Sequence, residues 1–206
     1  MDKFCLNIAG YVIKVERSAG GPVLMPAQRF RKSFTTGDGF DYLIRVHRGG
    51  CLIPPGAERV FNAPLVEETD GQTVIKSHEF WSIHKKDNLI FIKTIFPHNP
   101  GMHSGMLTIS RHPGVWDLEL ATDDSIADPL AWPLDGLLLY YLTVFNGDIM
   151  IHASGVDYKG KGYIFSGVSG KGKSTMARLW EMAGAKVIHD DRLIIRRKEG
   201  EIFFYN

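Results

Sequence analysis

Cysteine is scarce: Cys5 and Cys51 are the only two in 206 residues, and they form neither a C-x-x-C pair nor a zinc-ligand spacing. That excludes a disulfide framework as the organising device and fits a reducing, cytoplasmic setting with both thiols in the core. An excess of charge of one sign is also missing. Lys and Arg number 24 against 23 Asp and Glu, a net charge of +1, so there is no electrostatic reason to expect nucleic acid or an anionic membrane as a partner. No segment reaches the ~18 uncharged apolar residues of a membrane span. The N-terminus Met1-Asp2-Lys3-Phe4 lacks a basic stretch leading into an apolar one. Repeats and low-complexity tracts are absent. With 44% hydrophobic and 23% charged residues, the chain has the makings of a packed core rather than of disorder.

Two textures are present. Residues 1–125 read as a β-rich region of short alternating runs broken by Gly, Pro and charged turns: 5–15, 42–47, 73–76, 79–84, 89–96, 105–110 and 115–121. Lys85-Lys86-Asp87-Asn88 reads as a four-residue hairpin loop. The stretches 97–105 and 122–128 are the best candidate joints. Residues 126–206 form a second region. It opens with a helix whose apolar residues Leu134, Leu137, Leu138, Tyr141, Leu142 and Phe145 have helical spacing, which begins near Pro133 and stops at Asn146-Gly147. Strands follow at 148–156, 162–166, 185–189, 192–197 and 201–205. The fold class expected is mixed α/β, of the α+β kind.

The most informative residues are Gly167-Val168-Ser169-Gly170-Lys171-Gly172-Lys173-Ser174, a complete G-x-x-x-x-G-K-[ST] loop. An apolar strand precedes it. Met176, Leu179, Trp180 and Ala183 then follow at i, i+3, i+4 and i+7, the packing face of an expected helix. In that context Gly167, Ser169, Gly170, Lys171, Gly172, Lys173, Ser174 and Thr175 are candidate nucleotide-binding residues. Glycines let backbone N–H groups converge on phosphate oxygens, the helix N-terminus adds partial positive charge, Lys173 neutralises terminal phosphates, and the Ser174 hydroxyl can ligate Mg²⁺.

Phosphoryl transfer needs positioning and charge stabilisation, so such a loop also requires a carboxylate for the metal and a group to prepare the acceptor. Asp190-Asp191, read as lying at the end of the strand that follows the loop's helix, can supply both. His152, on the strand before the loop, is within reach of the same pocket or is a core histidine. Among weaker signals, His98, His103 and His112 have no acidic or thiol ligand at metal spacing and read as surface residues. Trp81, Trp116, Trp132 and Trp180 read as core. Arg192 can touch phosphate, and Arg196 and Arg197 read as a solvated strand face.

Taken together, Ile151-His152-Ala153-Ser154-Gly155-Val156, the loop to Ser174, and Gly184-Ala185-Lys186-Val187-Ile188-His189-Asp190-Asp191-Arg192 resemble the catalytic domain of HPr kinase/phosphorylase. That family is related in fold to phosphoenolpyruvate carboxykinase. The resemblance implies functional roles for His152, Lys173, Ser174, Asp190 and Asp191: catalysis by Asp191, His152 and Asp190, and a metal held by Ser174 and Asp190. ATP and Mg²⁺ are the implied cofactors, and a serine-type hydroxyl of a protein, peptide or free serine is the implied acceptor. The helix upstream resembles that of HPr kinase-like proteins of bacterial gene clusters with a β-rich N-terminal half. Two departures carry expectations. Residues 1–125 do not look like the regulatory domain of the HPr enzyme, which argues against HPr itself as substrate. The family's domain also continues beyond the Asp-Asp strand, whereas this chain ends at Asn206 within an apolar strand, which implies an incomplete domain. Its unpaired edge predicts a homo-oligomer, and a nucleotide-binding module without catalysis is the alternative reading.

Overall fold

The computed structural model describes residues 1–206 except Asp38, Gly71, Pro100, His112 and Pro113. The chain divides into two compact units, Met1–Asn7 with Tyr11–Gly136, and Ile8–Gly10 with Leu137–Asn206. The architecture is mixed but strand-dominated, and among the described residues no helix is long and apolar enough to cross a membrane.

In unit one the described residues build β1 (Lys3–Ile8), β2 (Tyr11–Arg17), β3 (Val23–Leu24), β4 (Phe34–Thr35), β5 (Tyr42–Arg48), β6 (Glu58–Thr69), β7 (Gln72–Lys86), β8 (Leu89–Ile95), β9 (Met102–Ile109), β10 (Val115–Thr122) and β11 (Ile126–Ala127). One sheet runs in the order β4-β1-β2-β5-β10-β9-β8-β7-β6, and β11 pairs separately with β3. Its inner strands β2, β5 and β10 are parallel, and the others pair antiparallel wherever a register is resolved. Strand alternation places the core. Tyr11, Ile13 and Val15 of β2 are buried and alternate with Val12, Lys14 and Glu16; Trp116, Leu118 and Leu120 of β10 do the same against Asp117 and Glu119. Trp116 is the hub: its ring lies 5.0 Å from that of Tyr42, and its indole N–H donates to the Ser110 carbonyl at 2.9 Å.

Several expectations for this half change. The run 5–15 is two strands separated by Ala9-Gly10, both at positive φ. Runs 73–76 and 79–84 are one strand, β7, and the hairpin after it pairs Lys86 with Leu89, so its loop is two residues rather than four. The alternating runs of the sequence include none at 58–69, where β6 lies. Pro64 and the acidic residues there argue against a central strand, but β6 is the sheet's edge, the one place where a missing N–H costs no ladder bond. Trp132 is exposed rather than core, with its ring against Phe80 and His98. His103 contacts Asp123, and His112 lies outside the described residues.

Unit two holds most of α1 (Leu134–Asn146), followed by β12 (Ile149–Tyr158), β13 (Lys161–Ser166), α2 (Lys173–Met182), β14 (Lys186–Lys198) and β15 (Glu201–Tyr205). Helix α1 stops where the sequence predicts, with Gly147 at φ +68°. The sheet order is β13-β12-β14-β15, with antiparallel pairing throughout. Two expected strands, 185–189 and 192–197, are one. β14 runs unbroken through Asp190-Asp191 because β12 pairs with it from Lys186 to Ile195. One face of the sheet packs under α2 through Val156, Ala177 and Ala185, with Tyr163, Phe165, Trp180 and Val187 around them. On the other face the Phe204 ring lies over Gly155 and Gly162, where any Cβ would collide with it. Arg196 is no solvated residue: it is 13% exposed and bonds the 8%-exposed Asp148 at 2.9 Å.

Trp116 fills a site with no exposure and no slack. Trp116→Ala is expected to lower the unfolding free energy of unit one by about 3–5 kcal/mol, read as a lower urea midpoint followed by tryptophan-independent circular dichroism.

Candidate phosphate-binding site

Strand β13 ends at Ser166 and the loop begins at Gly167. Gly170 and Gly172 have φ of +78° and +80°, a region closed to most side chains, which is why glycine is needed at both. Gly172 is also the residue that caps α2. It offers no side chain to the first-turn amides, so those N–H groups remain for an external acceptor. Ser169, Gly170, Lys171, Gly172, Ser174 and Thr175 are exposed. Lys173 is folded back, its Nζ donating to the carbonyl oxygens of Gly167 at 2.9 Å and Val168 at 3.3 Å.

The carboxylates reach the loop from the middle of β14, not from a strand end. The last rung of the β12–β13 ladder pairs Ala153 with Ser166, and the same Ala153 pairs with Asp191 on its other side. Ser154 lies opposite Asp190, and its hydroxyl donates to Asp190 Oδ1. The Ser174 hydroxyl lies close enough to Asp190 to favour its ionised form. The Ser154 bond is the largest of the influences that hold the Asp190 carboxyl below its ordinary range, with the nearby Ser174 hydroxyl and His189 adding to it. Asp191 turns elsewhere: Oδ1 contacts His152 Nδ1 at 3.0 Å and Oδ2 accepts from Arg192 Nε at 3.2 Å. Burial alone would raise the Asp191 carboxyl, but the bond and charge of Arg192, followed by those of His152, bring it below its usual value.

A β-bulge decides this division of labour. Gly155 pairs with His189 and Val156 with Val187, leaving Ile188 as an extra residue in β14. Without it, Val187 and Asp190, three residues apart, would point to opposite faces. With it, Val187 packs beneath α2 and Asp190 stands on the same face beside Ser174.

The helix that carries Ser174 is turned relative to expectation. Met176, Leu179 and Ala183 are exposed, and the packing residues are Ala177 and Trp180. At about 100° per residue, Ser174, Ala177 and Trp180 fall within one third of the helix circumference. Once Ser174 faces Asp190, Leu179 and Met182 are therefore carried to the outside. Trp180 anchors the helix, its ring 4.5 Å from Tyr163 and 5.6 Å from Tyr158.

The structure thus brings Ser174 beside Asp190 and pairs Asp191 with His152, on neighbouring rungs of the β12–β14 ladder next to the end of β13, while Lys173 turns back onto its own loop. Sequence reading passed over Ser154, although its place two residues after His152, on the same side of β12, was a usable signal. A cavity of about 490 Å³ elsewhere in the unit, lined by Asp157, Gly162, Ile188, Glu201 and Phe204, includes none of the expected residues. Among the described residues no group of three or more His, Cys, Asp or Glu could hold a metal by itself. Comparison of the chain with protein-family models, curated proteins and solved structures finds no match in any of the three.

Trp180→Ala should detach the face of α2 from the sheet. The half-buried indole predicts a loss of about 2 kcal/mol in unfolding free energy, measurable by denaturant titration, with reduced helical ellipticity.

Proposed function

We propose that unit two is an HPr kinase-like phosphoryl-transfer domain that binds ATP with Mg²⁺ and directs the γ-phosphoryl to a serine-type hydroxyl. The observation that carries this reading is the convergence of two segments on Asp190: Ser154 of a separate strand donates to it, and Ser174, the last residue of the loop motif, lies close enough to favour its ionised form. A glycine turn that merely caps a helix has no use for such a partner.

The residues suit both groups. Mg²⁺ prefers hard oxygen ligands, keeps several waters, and is held by one or two protein groups together with phosphate oxygens, so a hydroxyl and one carboxylate suffice. Ser174 and Asp190 would hold it, and when bound it would neutralise charge on the phosphates. The uncapped first turn of α2 and the glycine backbone offer N–H donors to the same anion. Lys173 exchanges the carbonyls of Gly167 and Val168 for phosphate oxygens, a short reorientation of a flexible side chain.

On the acceptor side, both oxygens of Asp191 are already engaged, by His152 and Arg192. Asp191 therefore orients His152 through Nδ1, leaving Nε2 to take the proton of an incoming hydroxyl, and the pair receives that proton as a unit. Arg192 holds the carboxylate from its other side. The acceptor is a serine hydroxyl in a protein, in a peptide or as the free amino acid.

A second reading, nucleotide binding without transfer, is favoured by exposure: the side chains of His152 and Asp191 are 58% and 51% exposed, so nothing in this arrangement excludes water from the transferring group. The two readings separate on experiment. In calorimetry, Lys173→Ala should abolish binding of ATP and ADP with Mg²⁺; equal affinity in parent and variant would remove the loop from function. In a phosphoryl-transfer assay with serine-bearing acceptors, His152→Ala and Asp191→Asn should each lower the rate by about 10²–10⁴-fold while leaving nucleotide affinity unchanged. Tight binding with no transfer by the parent protein would favour the second reading.

A further inference from the structure

Ser154 is 1% exposed, lies in the central strand of the unit-two sheet, and spends its hydroxyl on a carboxylate that reaches the surface. Stability does not require this. Alanine would fill nearly the same volume, and removing a buried hydroxyl whose partner can turn to water costs little, whereas keeping it obliges the fold to hold a polar group in the interior. Neither neighbour opposite Ser154, Phe165 on β13 or Asp190 on β14, offers it another side-chain partner than the carboxylate. The hydroxyl is directed at one atom, Asp190 Oδ1.

Two hydroxyls meet Asp190, and they differ in what a cation would ask of them. Ser174 lies beside the carboxylate and favours its ionised form, but as a metal ligand it must present an oxygen lone pair to the cation and turn its hydrogen away. Its restraint on Asp190 is then weakened when the ion arrives. Ser154 is fixed in the sheet, away from the loop, and donates to Asp190 in both situations. We infer that Ser154 is a positioning residue for the metal subsite, its hydroxyl holding the Asp190 carboxylate in one orientation so that the second oxygen is presented to a divalent cation bound with the nucleotide. The bulge at Ile188 supports the assignment, because it sets Asp190 directly opposite Ser154 and on the α2 face of the sheet. This rests on the nucleotide-binding reading given above, and it adds a residue to which the loop motif assigns nothing.

The test measures nucleotide affinity twice, with EDTA and with Mn²⁺, and follows bound Mn²⁺ by electron paramagnetic resonance. The parent protein is expected to gain affinity with the metal. Ser154→Ala should retain the metal-free affinity for ATP and lose about tenfold of the metal-dependent gain, with a changed Mn²⁺ spectrum, since a hydrogen bond to a charged group is removed. Ser154→Thr, which keeps the hydroxyl, should restore most of that gain. In the Asp190→Asn background Ser154→Ala should have no further effect on it. A full metal-dependent gain in Ser154→Ala overturns the inference, and so does an equal loss with and without metal, which would mark a purely structural role. Should Ser154→Ala fail to fold, Ser154→Thr decides: a lost metal-dependent gain in a folded Thr variant overturns the assignment. A parent protein that binds no nucleotide overturns the underlying reading as well, whereas a parent with a normal metal response and an indifferent Ser154 overturns this inference alone.

Discussion

The candidate site depends on one extra residue in one strand. Ile188 is accommodated by a bulge between Gly155 and Val156 of β12, and it reverses the side-chain alternation between Val187 and Asp190. Before the bulge, β14 contributes a core residue beneath α2; after it, the same face carries a carboxylate. The Asp190-Asp191 dipeptide is divided in its contacts: Asp190 accepts from Ser154 with Ser174 nearby, and Asp191 contacts His152 and Arg192. A ladder that continued from Val187 without the bulge would set His189, not Asp190, opposite Ser154.

The loop and the helix obey the same constraint from the opposite direction. Helix α2 enters through Gly172 with Ser174 facing the sheet, and at 3.6 residues per turn every later position is then determined. Ala177 and Trp180 face inward over the aromatic bed of Tyr158, Tyr163 and Phe165. Leu179 and Met182 pay for this by facing solvent. On the opposite face of the sheet, the Phe204 side chain of β15 occupies the space left by two glycines. Nearby on β14, Arg196 and Asp148 form an ion pair shielded from water, a geometry in which removal of either partner is costly.

Much was legible in the sequence because it is written locally. The loop motif carries its glycines at the positions that need positive φ, and α1 announces its end at Asn146-Gly147. Alternation located most strands of unit one. The failures share a different character. Nothing local marks β6, whose edge position, where Pro64 is tolerated, is a property of the whole sheet. Arg196 was misread because nothing local shows that Asp148 will lie beside it. The packing face of α2 was misjudged because hydrophobicity alone was counted, while the helix's rotation is governed by its first turn.

Residue types and short-range spacing by themselves determined which groups were available: a phosphate-cradling backbone, a lysine, hydroxyls, two adjacent carboxylates and a histidine. They could not determine which carboxylate meets which hydroxyl. That depends on pairing between strands 36 residues apart, Ser154 with Asp190, and on a register shift that changes the facing of everything beyond it. Register is a long-range quantity, selected by which faces of three strands and one helix can be buried together. Only the folded chain supplies that choice, and with it the part played by Ser154.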